Sequence, residues 1–202
     1  MSTTNSSKSI REMVQLAVLV AILLILEFTG LGLIKTPGLE FTIMQVPVII
    51  GAIVMGPAAG GVLGGVFGLI SFWECFGKSA FGAMLLSINP VGTFMVCVPT
   101  RILMGILCGL IFQLLRKPKA TREFLSFAIA SLCGALLNTA FFMGTLMLFF
   151  YQTEFLQGII GPGTGVLVAI IAMVGFQGFW EAVICAVVGT AVSKALFKAM
   201  RL

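Results

Sequence analysis

The candidates for chemistry in this chain are a few isolated polar side chains set in apolar sequence. There is no His and no Asp, so the common general bases and imidazole metal ligands are missing, and the remaining Glu, Ser and Cys have no evident partner base. Arg101 draws attention first. It follows Pro99, and proline favours the first turn of a helix. A helix starting there would hold the guanidinium at the positive end of its dipole, disfavoured by about 0.3–1 kcal/mol. Such a cation needs an anion: a ligand carboxylate, or Glu181, which opens the last apolar run. Asn138, midway along another run, can hydrogen-bond a ligand or a neighbouring helix. Gln177, Trp180, Asn89 and Lys35 sit beside the same predicted end of the molecule and are candidate ligand contacts. Glu27 interrupts the first apolar run. The five Cys show no CxxC and no metal-ligand spacing, which leaves no zinc or redox motif. Most read as small buried apolar residues. Cys75 and Cys97 stand apart because both fall near one predicted face.

The elements that carry these residues are transmembrane helices. The chain is 59% hydrophobic and 9% charged, against about 25% charged in soluble domains. Most of the 12 Lys and Arg residues form three patches: Lys8 and Arg11; Arg116, Lys117, Lys119 and Arg122; and Lys194, Lys198 and Arg201. Nearly uncharged sequence separates the patches. Basic residues concentrate in cytoplasmic loops, so an even number of crossings lies between patches and both termini are cytoplasmic. The net charge of +5 reflects this topology and is not a nucleic-acid footprint.

The expected fold is all-α, a single domain over residues 1–202 with a flexible cytoplasmic tail at 1–9 and six transmembrane helices. Their expected ranges are 10–32, 42–56, 58–74, 99–115, 122–150 and 178–200. Two long connections, 75–98 and 151–177, fall outside together with loop 34–40, where Pro37-Gly38 signals a turn. An apolar stretch at 166–174 is too short to span and is expected as a re-entrant or interfacial helix. Irregular backbone at membrane depth survives only where protein covers it or it lines a cavity. The long connections therefore predict a pocket open to the outside, bounded by these segments, the start of the fourth helix, the fifth helix and residues 175–181. Gly77-Lys78-Ser79 lacks the preceding glycine of a phosphate loop, so any ATP dependence must come from another chain.

Small residues recur every fourth position: Ala17/Ala21, Gly60/Gly64/Gly68, Gly105/Gly109 and Ala182/Ala186. Such spacing brings helix backbones close. In most helices this serves packing within the bundle. In the first helix the Ala17/Ala21 pair is one small patch among bulky residues, which marks a possible docking face.

The run from Thr42 through Gln45 and Pro47 to Gly56-Pro57, followed by a Gly-rich helix, resembles the substrate-binding subunits of energy-coupling factor (ECF) transporters. The Ala17-Val-Leu-Val-Ala21 segment looks like that family's AxxxA docking motif. The stretch from Pro99 and Arg101 to Gly105 resembles the start of its fourth helix, and Glu181-Ala182 the start of its last. This resemblance implies a non-enzymatic six-helix subunit without a cofactor, in the plasma membrane of a prokaryote. It implies capture of a vitamin from outside and assembly with a transmembrane T component and two ATPases. The 42–56 run is most like members that take up pantothenate, although Gln45 stands where a His is expected. The alternative is a stand-alone secondary carrier, which would be expected to show an internal repeat with paired broken helices; residues 1–100 and 101–202 show none.

Overall fold

The computed structural model describes residues 3–30, 32–36, 39–116, 120–161, 165, 168, 175 and 178–199. Helix α1 (Thr3–Thr29) leads to a hairpin of β1 (Leu33–Thr36) and β2 (Leu39–Thr42). Then come α2 (Gln45–Met55), α3 (Pro57–Glu74), α4 (Ala80–Ile88), α5 (Pro90–Leu115), α6 (Ala120–Phe150) and α7 (Glu154–Ile160). The last helix, α8 (Gly178–Ala199), contains a π-helical turn at Cys185–Gly189. The protein is helical as expected, with the hairpin as an addition. Among the described residues, four helices are long and apolar enough to cross a membrane: α1 from Ile10, α5, α6 from Phe124, and α8.

Several boundaries differ from those expected. Helix α1 starts within the predicted flexible tail, at Thr3. Loop 34–40 is strand-paired, with Thr36 opposite Leu39 and Lys35 opposite Glu40. The fourth long helix starts nine residues before Pro99. Its true start has a strong local cause: Asn89 caps it by accepting from the Gly92 N–H at 2.9 Å, and Pro90 occupies the first turn. Pro99 lies inside the helix, where it removes the N–H that would bond the Met95 carbonyl. Just beyond it, Thr100 Oγ1 donates to the Val96 carbonyl and the Arg101 guanidinium to those of Val96 and Cys97. The predicted irregular segment 75–98 is therefore largely helical, and the 166–174 stretch lies almost wholly outside the described residues.

The core centres on α2, whose residues Gln45 to Ile53 are all buried. At about 1.5 Å per residue its eleven residues span roughly 16 Å, half a bilayer core. Around it, α3 and α5 pack backbone to backbone. A Cβ on Gly60 would meet the Gly105 carbonyl, one on Gly64 the Arg101 carbonyl, and one on Gly68 would come 2.7 Å from Val98 Cα. These small-residue stripes thus serve the bundle itself. Helix α1 does the opposite. It buries the least of the four long helices, and Ala17 and Ala21 are exposed together with Met13, Val14, Val18 and Ile25.

At the end opposite the hairpin the mid-chain and C-terminal basic patches meet. Arg116 lies over the Phe197 ring at 4.6 Å and Lys194 over Phe124 at 5.0 Å.

Candidate functional site

Arg101 is buried at 7% exposure, although long membrane-embedded cations ordinarily reach for water. Helical side chains lean toward the N-terminus, so its guanidinium rises one turn along α5. There Nη1 donates to the carbonyls of Cys97 at 2.9 Å and Val96 at 3.2 Å. The guanidinium carbon stacks 4.6 Å from the Phe67 ring centre of α3 and 5.4 Å from that of Phe142 of α6. Its Nε has no hydrogen-bond partner, and no described carboxylate forms an ion pair with it. The predicted first-turn position is corrected: eleven residues separate Pro90 from Arg101, about three turns. The helix-dipole penalty does not apply there. The cation is held instead by carbonyls and ring faces.

Of the two anions considered for Arg101, the protein's own is occupied elsewhere. Glu181 is buried near the start of α8 and accepts from the Thr42 N–H at 2.9 Å and from Gln45 Nε2 at 3.5 Å. It thereby ties α8 to the hairpin's exit and to the first turn of α2. Glu181 and Glu74 act on the Arg101 charge without forming a close pair with it.

Five further side-chain atoms are buried and unsatisfied among the described residues: the hydroxyls of Ser131, Thr190 and Ser193, and, nearer Arg101, Asn138 Oδ1 on α6 and Gln45 Oε1 on α2. The two helices meet where a Cβ on Gly134 would touch Ile49. One turn from that contact, in opposite directions along the chain, come Asn138 and Gln45, so the amides stand at one level. One turn beyond Asn138 is Phe142, whose ring lies under Arg101. An unsatisfied guanidinium nitrogen and two unsatisfied amide oxygens, from three helices, thus fall near one level of the bundle, with the Phe67 and Phe142 rings against the guanidinium. A buried polar atom without a partner costs about 1–3 kcal/mol. Three near one level leave hydrogen-bonding capacity that the described residues do not fill. The chemistry is complementary to one anionic group plus hydroxyl or amide groups.

Asn89 is not part of this cluster. Its Oδ1 is spent on the α5 cap, and twelve residues of helix place it roughly 18 Å from Arg101. Trp180 is 45% exposed and stacks edge-on against Phe179 at 5.9 Å, the placement of an interfacial aromatic. Gln177 and the Lys35 side chain lie outside the described residues.

Sequence reasoning assigned no role to Gln45, Phe67 or Glu74. Gln45 had a readable signal, as the single amide in an otherwise apolar run. Glu74 is buried at the end of α3, in contact with Glu27 and within reach of Lys78. Glu27, itself buried, forms an ion pair with Lys78, whose Nζ also donates to the Glu27 carbonyl at 3.2 Å. The pair pins the end of α1 to the turn after α3.

A bundle of apolar helices enclosing a small polar site defines a membrane-embedded binding protein. The chain belongs to the family "ECF transporter, substrate-specific component", whose family model matches residues 11–193. It is 30% identical over 196 residues to the pantothenic acid transporter PanT of Lactococcus lactis subsp. cremoris, covering 91% of this chain and 92% of that one. It is 28% identical over 164 residues to the pantothenate transporter PanT of Leuconostoc mesenteroides subsp. mesenteroides, covering 79% and 76%. Its fold resembles that of ThiT from Listeria monocytogenes, with a TM-score of 0.66 at 15% identity over 93% of this chain and 96% of that one.

Proposed function

We propose that this chain is the pantothenate-capturing subunit of an ECF-type importer in a prokaryotic plasma membrane. The observation that carries the substrate is Arg101, a buried guanidinium with an open Nε and no paired carboxylate among the described residues, near the level of two open amide oxygens. Pantothenate offers one carboxylate, two hydroxyls and an amide, which match those groups in kind. The names of the two bacterial relatives point the same way. In this reading α1, α2, α3, α5, α6 and α8 make six passes, α2 as a half-length one buried among the others. The basic end bearing Arg116 and Lys194 faces the cytoplasm, and the hairpin, α4 and α7 lie outside. The exposed Ala17/Ala21 face of α1 docks on a T component, and two ATPases supply the energy.

The test is direct. The purified chain should bind radiolabelled pantothenate and release it to excess unlabelled pantothenate, while thiamine and niacin fail to compete. Vesicles holding the chain alone should not accumulate pantothenate, and vesicles with the T component, the ATPases and internal ATP should. Absence of pantothenate binding refutes the substrate. Accumulation by the chain alone would establish the secondary carrier instead.

A further inference from the structure

A glutamine amide has two unlike ends: the nitrogen only donates hydrogen bonds and the oxygen only accepts them. Which end meets a ligand decides what that ligand must offer. At Gln45 the choice is made by Glu181, and both side chains are buried. A carboxylate only accepts, and each Glu181 oxygen has a donor. Oε1 takes the Thr42 N–H at 2.9 Å, and Oε2 takes Gln45 Nε2 at 3.5 Å. Cys185, one turn further along α8, adjoins the same amide. The amide nitrogen is therefore turned toward α8. In a planar amide the oxygen then points away from α8, and Oε1 is buried there with no hydrogen-bond partner among the described residues.

The backbone bond holds this arrangement. The Thr42 N–H belongs to the main chain three residues before Gln45 and cannot turn round, so it fixes the carboxylate and with it the place of Oε2. Reversing the Gln45 amide would set Oε1 against Oε2, two acceptors with no hydrogen between them. It would also leave the NH2 group as a buried donor without a partner, which costs more than a made hydrogen bond returns.

We propose, on the reading of this region as the pantothenate site, that Glu181 is a positioning residue that fixes Gln45 with its amide oxygen toward the ligand. This position then selects a neutral hydrogen-bond donor, a hydroxyl or an amide N–H, and disfavours an analogue that lacks the hydrogen. A ligand carboxylate offers no donor and is turned away from Gln45, which leaves Arg101 as its place. Glu181 itself touches no ligand group and acts through Gln45.

The experiment titrates the full chain in lipid nanodiscs with pantothenate and three analogues, each lacking one donor. Fluorine replaces either hydroxyl in two of them, and an ester oxygen replaces the amide N–H in the third. The parent should bind at least one analogue about tenfold more weakly than pantothenate, the effect of leaving one buried acceptor unpaired. Gln45→Leu and Glu181→Gln should each bring that ratio toward one. In Glu181→Gln the new amide oxygen still accepts from Thr42, while its nitrogen draws Gln45 Oε1 and turns the Gln45 amide round. The double variant should bind pantothenate no worse than Gln45→Leu alone, because the two residues act as one unit. Unchanged discrimination in Glu181→Gln, or additive losses in the double variant, overturns the proposal. A measurement without ligand covers variants that fail to fold. In the parent the Thr42 N–H and the Gln45 NH2 share one carboxylate, so a nuclear Overhauser cross-peak should connect them, and its absence also overturns the proposal. Lack of pantothenate binding by the parent would refute the substrate reading alone, and the cross-peak would still decide the orientation.

Discussion

Replacing Arg101 by Ala removes three things at once: two hydrogen bonds to backbone carbonyls, the stacking on Phe67 and Phe142, and the open Nε–H facing the site. The first two belong to the empty protein and the third to the bound one. A hydrogen bond to a charged group contributes about 1.5–3 kcal/mol, so the loss to binding should be about 10- to 100-fold. The stacking, about 0.5–2 kcal/mol for a cation on a ring, reports on the fold. Removing a buried cation also removes its desolvation cost, so the variant should lose little thermal stability. Arg101→Lys should recover part of the affinity, because an ammonium keeps the charge but lacks the planar fork. The assay is isothermal titration with pantothenate, beside a melting curve for each variant. An Arg101→Ala protein that melts as the parent does and binds pantothenate with parental affinity would refute the anchoring role.

Asn138→Leu and Gln45→Leu should each weaken pantothenate binding, by about 1–3 kcal/mol if the amide meets a ligand polar group, measured in the same titration. Asn89→Ala should cost about 1 kcal/mol of stability through the lost helix cap and leave affinity unchanged; a large affinity loss would return Asn89 to the site. Ala17→Trp and Ala21→Trp should leave binding by the isolated chain intact and abolish uptake by the assembled complex, read as pantothenate accumulation in vesicles with ATP. Gly64→Val should fail to accumulate as folded protein, because a side chain there meets the Arg101 carbonyl and overpacking costs about 1–3 kcal/mol or more; normal yield and melting would contradict the close packing of α3 on α5.

Helix identity was legible where hydropathy ran long. The predicted ranges 122–150 and 178–200 lie close to α6 and to Gly178–Ala199. Proline was the main source of error. Prolines stand at 90 and 99, and Pro99 reads as a helix start because proline favours the first turn. Local capping chemistry decided otherwise, since Asn89 has both a cap acceptor and a proline behind it. The hairpin was hidden by its turn residues, which read equally well as a plain loop. For the site, polar exceptions within apolar runs pointed to Arg101 and to Asn138. The partners that make Arg101 informative are a ring from α3 and a ring from α6, brought together by tertiary packing and carrying no mark in sequence. Gln45 was visible as an exception in an apolar run, but its bond to Glu181 spans 136 residues.

The π turn in α8 is a matter of phase. Such a turn holds one residue more than the α-helix it interrupts, and each residue of an α-helix advances the azimuth by about 100°. Everything on the Glu181 side of Cys185–Gly189 is therefore rotated relative to Ser193 and Phe197, which are themselves buried. Because the turn absorbs the extra residue, loss of one residue such as the exposed Val187 would restore a regular helix with Glu181 and Phe197 still on the faces they now present. Forcing the same residues into an unbroken α-helix would instead turn Glu181 by about 100°, away from Thr42 and Gln45. An insertion of one codon in an ordinary α-helix is a simple way such an arrangement can arise.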